Sequence, residues 1–149
     1  KENRIFVDHI SCGYYHACAV DIEGKLFTWG WGENGQLGHG DTLSLSKPKL
    51  VEILQEKTVT GVSASSFHTA CIANNQIYTW GCSKYGALGH GTQKDENIVD
   101  PTPVSGVDGK VVVDGMCLQV CTLTPSCMWL LEYICHHLIS TPDIRTTCR

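Results

Sequence analysis

The chain is patterned in short alternating runs separated by turn residues. In an extended conformation Tyr15, Ala17 and Ala19 fall on one side and His16, Cys18 and Val20 on the other. The turn Asp21-Ile22-Glu23-Gly24-Lys25 follows, and Leu26, Phe27 and Trp29 mark a returning run. The same succession comes again: His68-Thr69-Ala70-Cys71, the shorter turn Asn74-Asn75, then Gln76-Ile77-Tyr78-Thr79-Trp80. Gly and Asn accept the positive φ that tight turns demand, so each pair of runs predicts a β-hairpin. No window before Gly115 sustains a 3.6-residue period, which argues against a helical repeat.

The hairpins belong to a longer internal repeat. Thr28-Trp29-Gly30 returns as Thr79-Trp80-Gly81, and Gly35-Gln36-Leu37-Gly38-His39-Gly40 returns as Gly86-Ala87-Leu88-Gly89-His90-Gly91, both at an offset of 51 residues. The histidines that open the hairpins, His16 and His68, are 52 apart, and Pro48 and Pro103 are 55 apart. A unit of this size with several short strands and recurrent Gly and Trp has the dimensions of a propeller blade. The expected fold class is all-β, a partial β-propeller of two to three four-stranded antiparallel blades. The expected divisions are 1–54 for the first repeat and 55–109 for the second. Residues 110–149 would hold a degenerate third start, at Lys110-Val111-Val112-Val113, and a divergent Cys-rich tail.

The blocks CGYYHACAVDIEGKLFTWGWGENGQLGHGD and SFHTACIANNQIYTWGCSKYGALGHG closely resemble the regulator-of-chromosome-condensation repeat. In that family a Cys-Gly, a His with small apolar residues, a turn, a Trp-Gly and a Gly-Gln-Leu-Gly-His-Gly precede a Pro-x-x-Val, the last place held here by Pro48-Lys49-Leu50-Val51 and Pro103-Val104. The resemblance covers about 110 residues. It implies a seven-bladed propeller in the complete domain and a rigid disk for protein binding. Family members serve as exchange factors for small GTPases, as modules of giant ubiquitin ligases and of kinases, and as plant light sensors. No exchange loop is matched here, so no functional residue is carried over.

Each candidate site has a competing structural reading. Gly30-x-Gly32-x-x-Gly35 has the spacing of a phosphate-binding loop. But three glycines in the seven residues from Gly35 cannot open the helix whose N-terminus such a loop needs, and the second repeat loses the middle glycine to Ser83. The glycines are read as blade turns. His16, His39, His68 and His90 recur in register, whereas a catalytic site is usually built once; each is expected to hydrogen-bond a backbone group within its own blade. His9, Cys12, His16 and Cys18 suggest zinc, as do Cys127, Cys135, His136, His137 and Cys148. The first group is split between strand faces and is not repeated, and the second lacks a standard spacing. No catalytic, cofactor-binding or metal residue is therefore assigned, and no cofactor is expected. Trp29 and Trp80 read as blade core. Trp31 is unrepeated, since Cys82 holds its place, and it is the candidate protein-contact residue.

Composition narrows the classes further. The net charge of −4, with no basic patch, argues against direct nucleic-acid binding. No stretch approaches the roughly 18 apolar residues of a membrane span. Nine cysteines without a secretion signal point to reduced thiols and an intracellular location, cytoplasmic or nuclear. All 15 glycines lie at or before Gly115. The glycine-free remainder reads as a diverged blade, an alternative C-terminus or a wrongly translated end. Within it, 126–139 is apolar nearly all round and reads as a strand running into a loop or, favoured slightly, a short helix. The expected function is that of a non-enzymatic protein-interaction module, a fragment or truncated form whose open sheet edges need missing blades or a partner. The partner would be a protein, with a small GTPase or a ubiquitin-pathway protein as candidates. The alternatives are part of a guanine nucleotide exchange factor, or the propeller portion of a ubiquitin ligase or kinase.

Overall fold

The computed structural model describes residues 5–91 and 96–105. Eight strands form two four-stranded antiparallel sheets. The first joins β1 (Val7–Cys12), β2 (His16–Asp21), β3 (Leu26–Gly30) and β4 (Leu45–Leu50) in chain order. The second joins β5 (Val59–Ala64), β6 (His68–Ala73), β7 (Gln76–Gly81) and β8 (Ile98–Pro103) in the same order. The helical pieces among the described residues are single 3₁₀ turns at Glu52–Leu54 and Lys84–Gly86. The third repeat start and the segment 126–139 lie outside the described residues.

Turn chemistry sets the hairpin registers. Asn74 and Asn75 both take positive φ, +49° and +63°, and close β6 directly onto β7, pairing Ala73 with Gln76. In the longer first turn, Asp21 Oδ1 accepts from the backbone N–H groups of Glu23 and Lys25, at 2.9 and 2.8 Å. Both sheets carry register shifts at matching places, between Val7 and His9 and between Val59 and Gly61, and again between Thr28 and Gly30 and between Thr79 and Gly81. The repeat in sequence is a repeat in backbone irregularity as well.

The core lies between the two sheets. Cys18, Val20 and Leu26 from the first sheet, with Val51 and Leu54 from the segment that follows it, meet Val59, Ala64, Cys71, Ala73, Tyr78 and Trp80 from the second. The alternation along 15–20 supplies this face directly: His16, Cys18 and Val20 are all buried and turn toward the second sheet. The two repeat tryptophans, expected alike to be core, differ. Trp80 is fully buried, whereas Trp29 is only half-buried. Trp29 holds the matching place in the first sheet, Ala17 pairing with it as Thr69 pairs with Trp80, and so points to the side with no described neighbour.

The joint between sheets is polar as well as apolar. Trp80 Nε1–H donates to the Gln36 carbonyl at 2.9 Å, and the Thr69 hydroxyl donates to the same oxygen at 2.8 Å. Gly38, at φ +75°, lies against this indole: a side chain there would start 2.7 Å from Trp80 Nε1. The turn over 36–38 can seat the tryptophan because it ends on a residue without a side chain.

Candidate protein-contact site

Trp31 does not stand alone. Tyr14 and Tyr15 occupy the tight turn between β1 and β2, which the Gly13 N–H closes onto the His16 carbonyl at 2.9 Å. Trp31 directly follows β3, and its N–H donates to the Tyr15 carbonyl at 2.8 Å. In the second sheet, Phe67 occupies the β5–β6 turn, and the Cys82 N–H donates to its carbonyl at 2.9 Å. Phe67 is thus the counterpart of Tyr15, and Cys82 that of Trp31.

These bonds fix the corresponding turn in each sheet, and four rings from the two sheets meet in one cluster. Tyr15 stacks on Phe67 with ring centroids 5.9 Å apart. Trp31 meets both edge-on, at 5.5 Å from Tyr15 and 5.8 Å from Phe67. Tyr14 adds an edge contact to Tyr15 at 6.2 Å. Tyr14 and Tyr15 remain 55% and 58% exposed and Phe67 37%. Trp31 is half-buried rather than freely projecting, because its neighbours flank it. The result is an apolar surface edged with phenolic hydroxyls, suited to apolar, aromatic or guanidinium groups of another protein.

Sequence reasoning singled out Trp31 and missed Tyr14, Tyr15 and Phe67. A signal was available: an aromatic residue immediately precedes the repeated histidine in both units, as Tyr15 and as Phe67.

The repeated histidines are structural, and three of them, His16, His39 and His90, meet threonine hydroxyls. The hydroxyls of Thr28 and Thr79 each donate to a carbonyl, that of Leu37 at 2.6 Å and that of Leu88 at 2.7 Å. Their oxygens therefore accept from His39 and His90 Nε2–H, at 2.9 and 3.0 Å. His16 reaches across the joint instead. Its Nε2 lies 2.8 Å from the hydroxyl of Thr69, which already donates to Gln36, so His16 must be the donor there too. Its Nδ1 is buried without a hydrogen-bond partner. Burial, and secondarily His68, hold the His16 pKa down to about 4, and burial does the same for His68.

The glycine run resolves into architecture, while Cys127, Cys135, His136, His137 and Cys148 lie outside the described residues. The glycine run 30–35 turns through φ of +107° at Gly30 and +75° at Gly35, with the Leu43 carbonyl where a side chain on Gly32 would sit, and no helix follows. Among the described residues, no three Cys, His, Asp or Glu side chains are placed to hold a metal, and no helix is long and apolar enough to cross a membrane. Cys12, Cys18, Cys71 and Cys82 are free thiols.

Comparison with known families decides what this architecture is. The model of the regulator of chromosome condensation (RCC1) repeat matches residues 23–72 and 74–118, and a second model of that repeat matches 7–36. The chain belongs to the RCC1-repeat family. Its two sheets are blades of an RCC1-type β-propeller, and the matched units run about half a blade out of phase with them. Over 108 residues, 69% of the chain, it is 39% identical to the human E3 ubiquitin-protein ligase HERC2, of whose length it spans 2%. The structure of human WBSCR16 superposes with a TM-score of 0.68 at 24% identity, over 78% of this chain and 30% of that one. Yeast Prp20p, whose structure is described together with its binding to Gsp1p and histones, superposes at 0.63 with 19% identity, over 73% of this chain and 28% of that one. Both share the fold of the RCC1 repeats seen here.

Proposed function

We propose that this chain is a non-enzymatic protein-interaction module whose contact surface is the aromatic cluster of Tyr14, Tyr15, Trp31 and Phe67. One observation carries the reading: four rings from adjacent blades pack against one another at the surface instead of being taken into the core. Trp and Tyr dominate binding hot spots because each brings large apolar area at low conformational cost. The two RCC1 repeats occupy 1–54 and 55–109, with a third beginning at Lys110, and the module works inside the cell, in cytoplasm or nucleus. Its partner is a protein, with a small GTPase and a ubiquitin-pathway protein as the classes to try first. The similarity to HERC2 favours the ubiquitin pathway.

A second reading is part of a guanine nucleotide exchange factor; the fold shared with Prp20p, described for its binding to Gsp1p, favours it. A nucleotide-release assay with a panel of small GTPases tests the choice. Accelerated release would overturn the non-enzymatic reading. Against a GTPase or ubiquitin-pathway protein bound by the chain, Trp31→Ala with Phe67→Ala is expected to weaken binding by at least about tenfold. Undiminished binding by that variant would remove the aromatic cluster from the contact surface.

A further inference from the structure

Gly13 opens the turn that carries Tyr14 and Tyr15, yet the turn itself does not require a glycine. The matching turn of the second sheet has Ser65 at that place. Both are closed by the same bond: the N–H of Gly13 donates to the His16 carbonyl and that of Ser65 to the His68 carbonyl, each at 2.9 Å. Nor does Gly13 take the positive φ of the other turn glycines. What leaves it no side chain is the neighbouring blade. A Cβ on Gly13 would lie 2.0 Å from the Ser65 carbonyl oxygen and 2.8 Å from the His16 ring. Ordinary carbon–oxygen contacts begin at about 3.3 Å. The oxygen belongs to the main chain and the ring is tied to Thr69, so neither can turn aside. This close approach belongs to a line of contacts between the blades. On one side of it Ser11 Oγ accepts from the Ala64 N–H at 2.9 Å, and on the other His16 Nε2–H donates to the Thr69 hydroxyl at 2.8 Å. Tyr15 lies two residues beyond Gly13, and Phe67 two beyond Ser65; their rings stack with centroids 5.9 Å apart.

We propose that Gly13 is the positioning residue of the aromatic cluster: its missing side chain lets the turn that bears Tyr15 close on the turn that bears Phe67. Its importance for binding rests on the reading of that cluster as the contact surface. Gly13 touches no partner and acts through the rings. A methyl group at position 13 leaves each turn its own closing bond, as Ser65 demonstrates, but forces the two turns apart. Tyr14, Tyr15 and Trp31 then withdraw together from Phe67, because the Trp31 N–H is bonded to the Tyr15 carbonyl. The cluster is therefore a composite of two blades, and it exists only while their turns meet this closely.

A double-mutant cycle on the full chain tests this. Urea unfolding of the parent, Tyr15→Ala, Phe67→Ala and the double variant gives the coupling of the two rings, expected as a factor of about two to ten in the unfolding equilibrium constant. In a Gly13→Ala background the factor falls to about one, and the NOEs between the Tyr15 and Phe67 rings seen in the parent by NMR disappear. Gly61→Ala is the control. A Cβ there meets nothing nearer than Ile72 Cδ1 at 3.9 Å, so both coupling and NOEs survive. A folded Gly13→Ala chain that keeps the coupling and the NOEs overturns the proposal, however much stability it has lost. Where Gly13→Ala does not fold, Ser11→Ala carries the test. It strips the acceptor from the Ala64 N–H in the same line of contacts and should reduce the coupling factor to about half; an unchanged factor then overturns the proposal. These readouts need no partner, so their failure counts against Gly13, whereas failure of Trp31→Ala with Phe67→Ala to weaken binding counts against the contact reading.

Discussion

Replacing His16 by Gln should flatten the acid sensitivity of this fold. The imidazole is 4% exposed, its Nε2–H is committed to Thr69, and its Nδ1 faces no hydrogen-bond partner. Adding a proton at Nδ1 would bury a charge and an unpaired N–H together, so burial holds the folded-state pKa at about 4 against the usual 6.5. The unfolded chain therefore binds a proton that the folded chain refuses. Stability from this group is complete above pH 6.5, declines as the pH falls from 6.5 to 4, and levels off below that. At about 1.4 kcal/mol per pKa unit, His16 accounts for roughly 2 kcal/mol of lost stability between pH 7 and 4.5. His68, also held at about 4, loses stability over the same window. Gln offers an N–H near the position of Nε2 and does not titrate. Urea unfolding of parent and His16→Gln, followed by circular dichroism at pH 7 and 4.5, reads the difference directly. Parent should lose about 2 kcal/mol more than the variant on acidification. Equal losses would mean that His16 takes up its proton in the folded state and that the geometry argument is wrong.

Other substitutions probe the joint and its turns. Trp80→Ala removes a fully buried indole and its bond to Gln36 and should cost about 3–5 kcal/mol in urea unfolding; Trp29→Ala at the matching position, in dilute solution, should cost less than half as much. Thr79→Val leaves His90 and the Leu88 carbonyl without their shared hydroxyl and should cost about 1–3 kcal/mol by the same measurement. Asn75→Ala puts an ordinary side chain at φ +63° and should lower stability by about 1–2 kcal/mol. Burial pushes the Cys18 thiol up to about 12 and also raises that of Cys71, so iodoacetamide at pH 8 should modify exposed Cys12 first and spare both buried thiols until the chain unfolds; peptide mass mapping reads the order.

Much of this architecture was legible in the chain because it is stated twice. The hairpin turns, the strand faces and the glycine-rich blade turns all follow from local chemistry, and the second copy removes ambiguity about which residues matter. Asn74-Asn75 could hardly be anything but a tight hairpin turn. What sequence could not give was which neighbour each face meets. Repetition makes Trp29 and Trp80 look equivalent, yet among the described residues only Trp80 meets a preceding sheet. His16 looked like a local structural residue, but its partner, Thr69, is 53 positions away across the joint. The aromatic surface escaped for the same reason. Tyr15 read as part of an extended run and Phe67 drew no reading of its own, and only stacking the blades sets their rings 5.9 Å apart.

The joint has a consequence for how such chains change over evolutionary time. Its acceptor is a main-chain carbonyl and its clearance is a missing side chain, so adjoining units need no pairwise matching of residue identities there. A unit that keeps its indole and its bare turn can be duplicated, deleted or exchanged and still seat against whatever neighbour it acquires. Surface residues such as Trp31 are then free to diversify unit by unit, and individual blades can acquire separate specificities without renegotiating the stack.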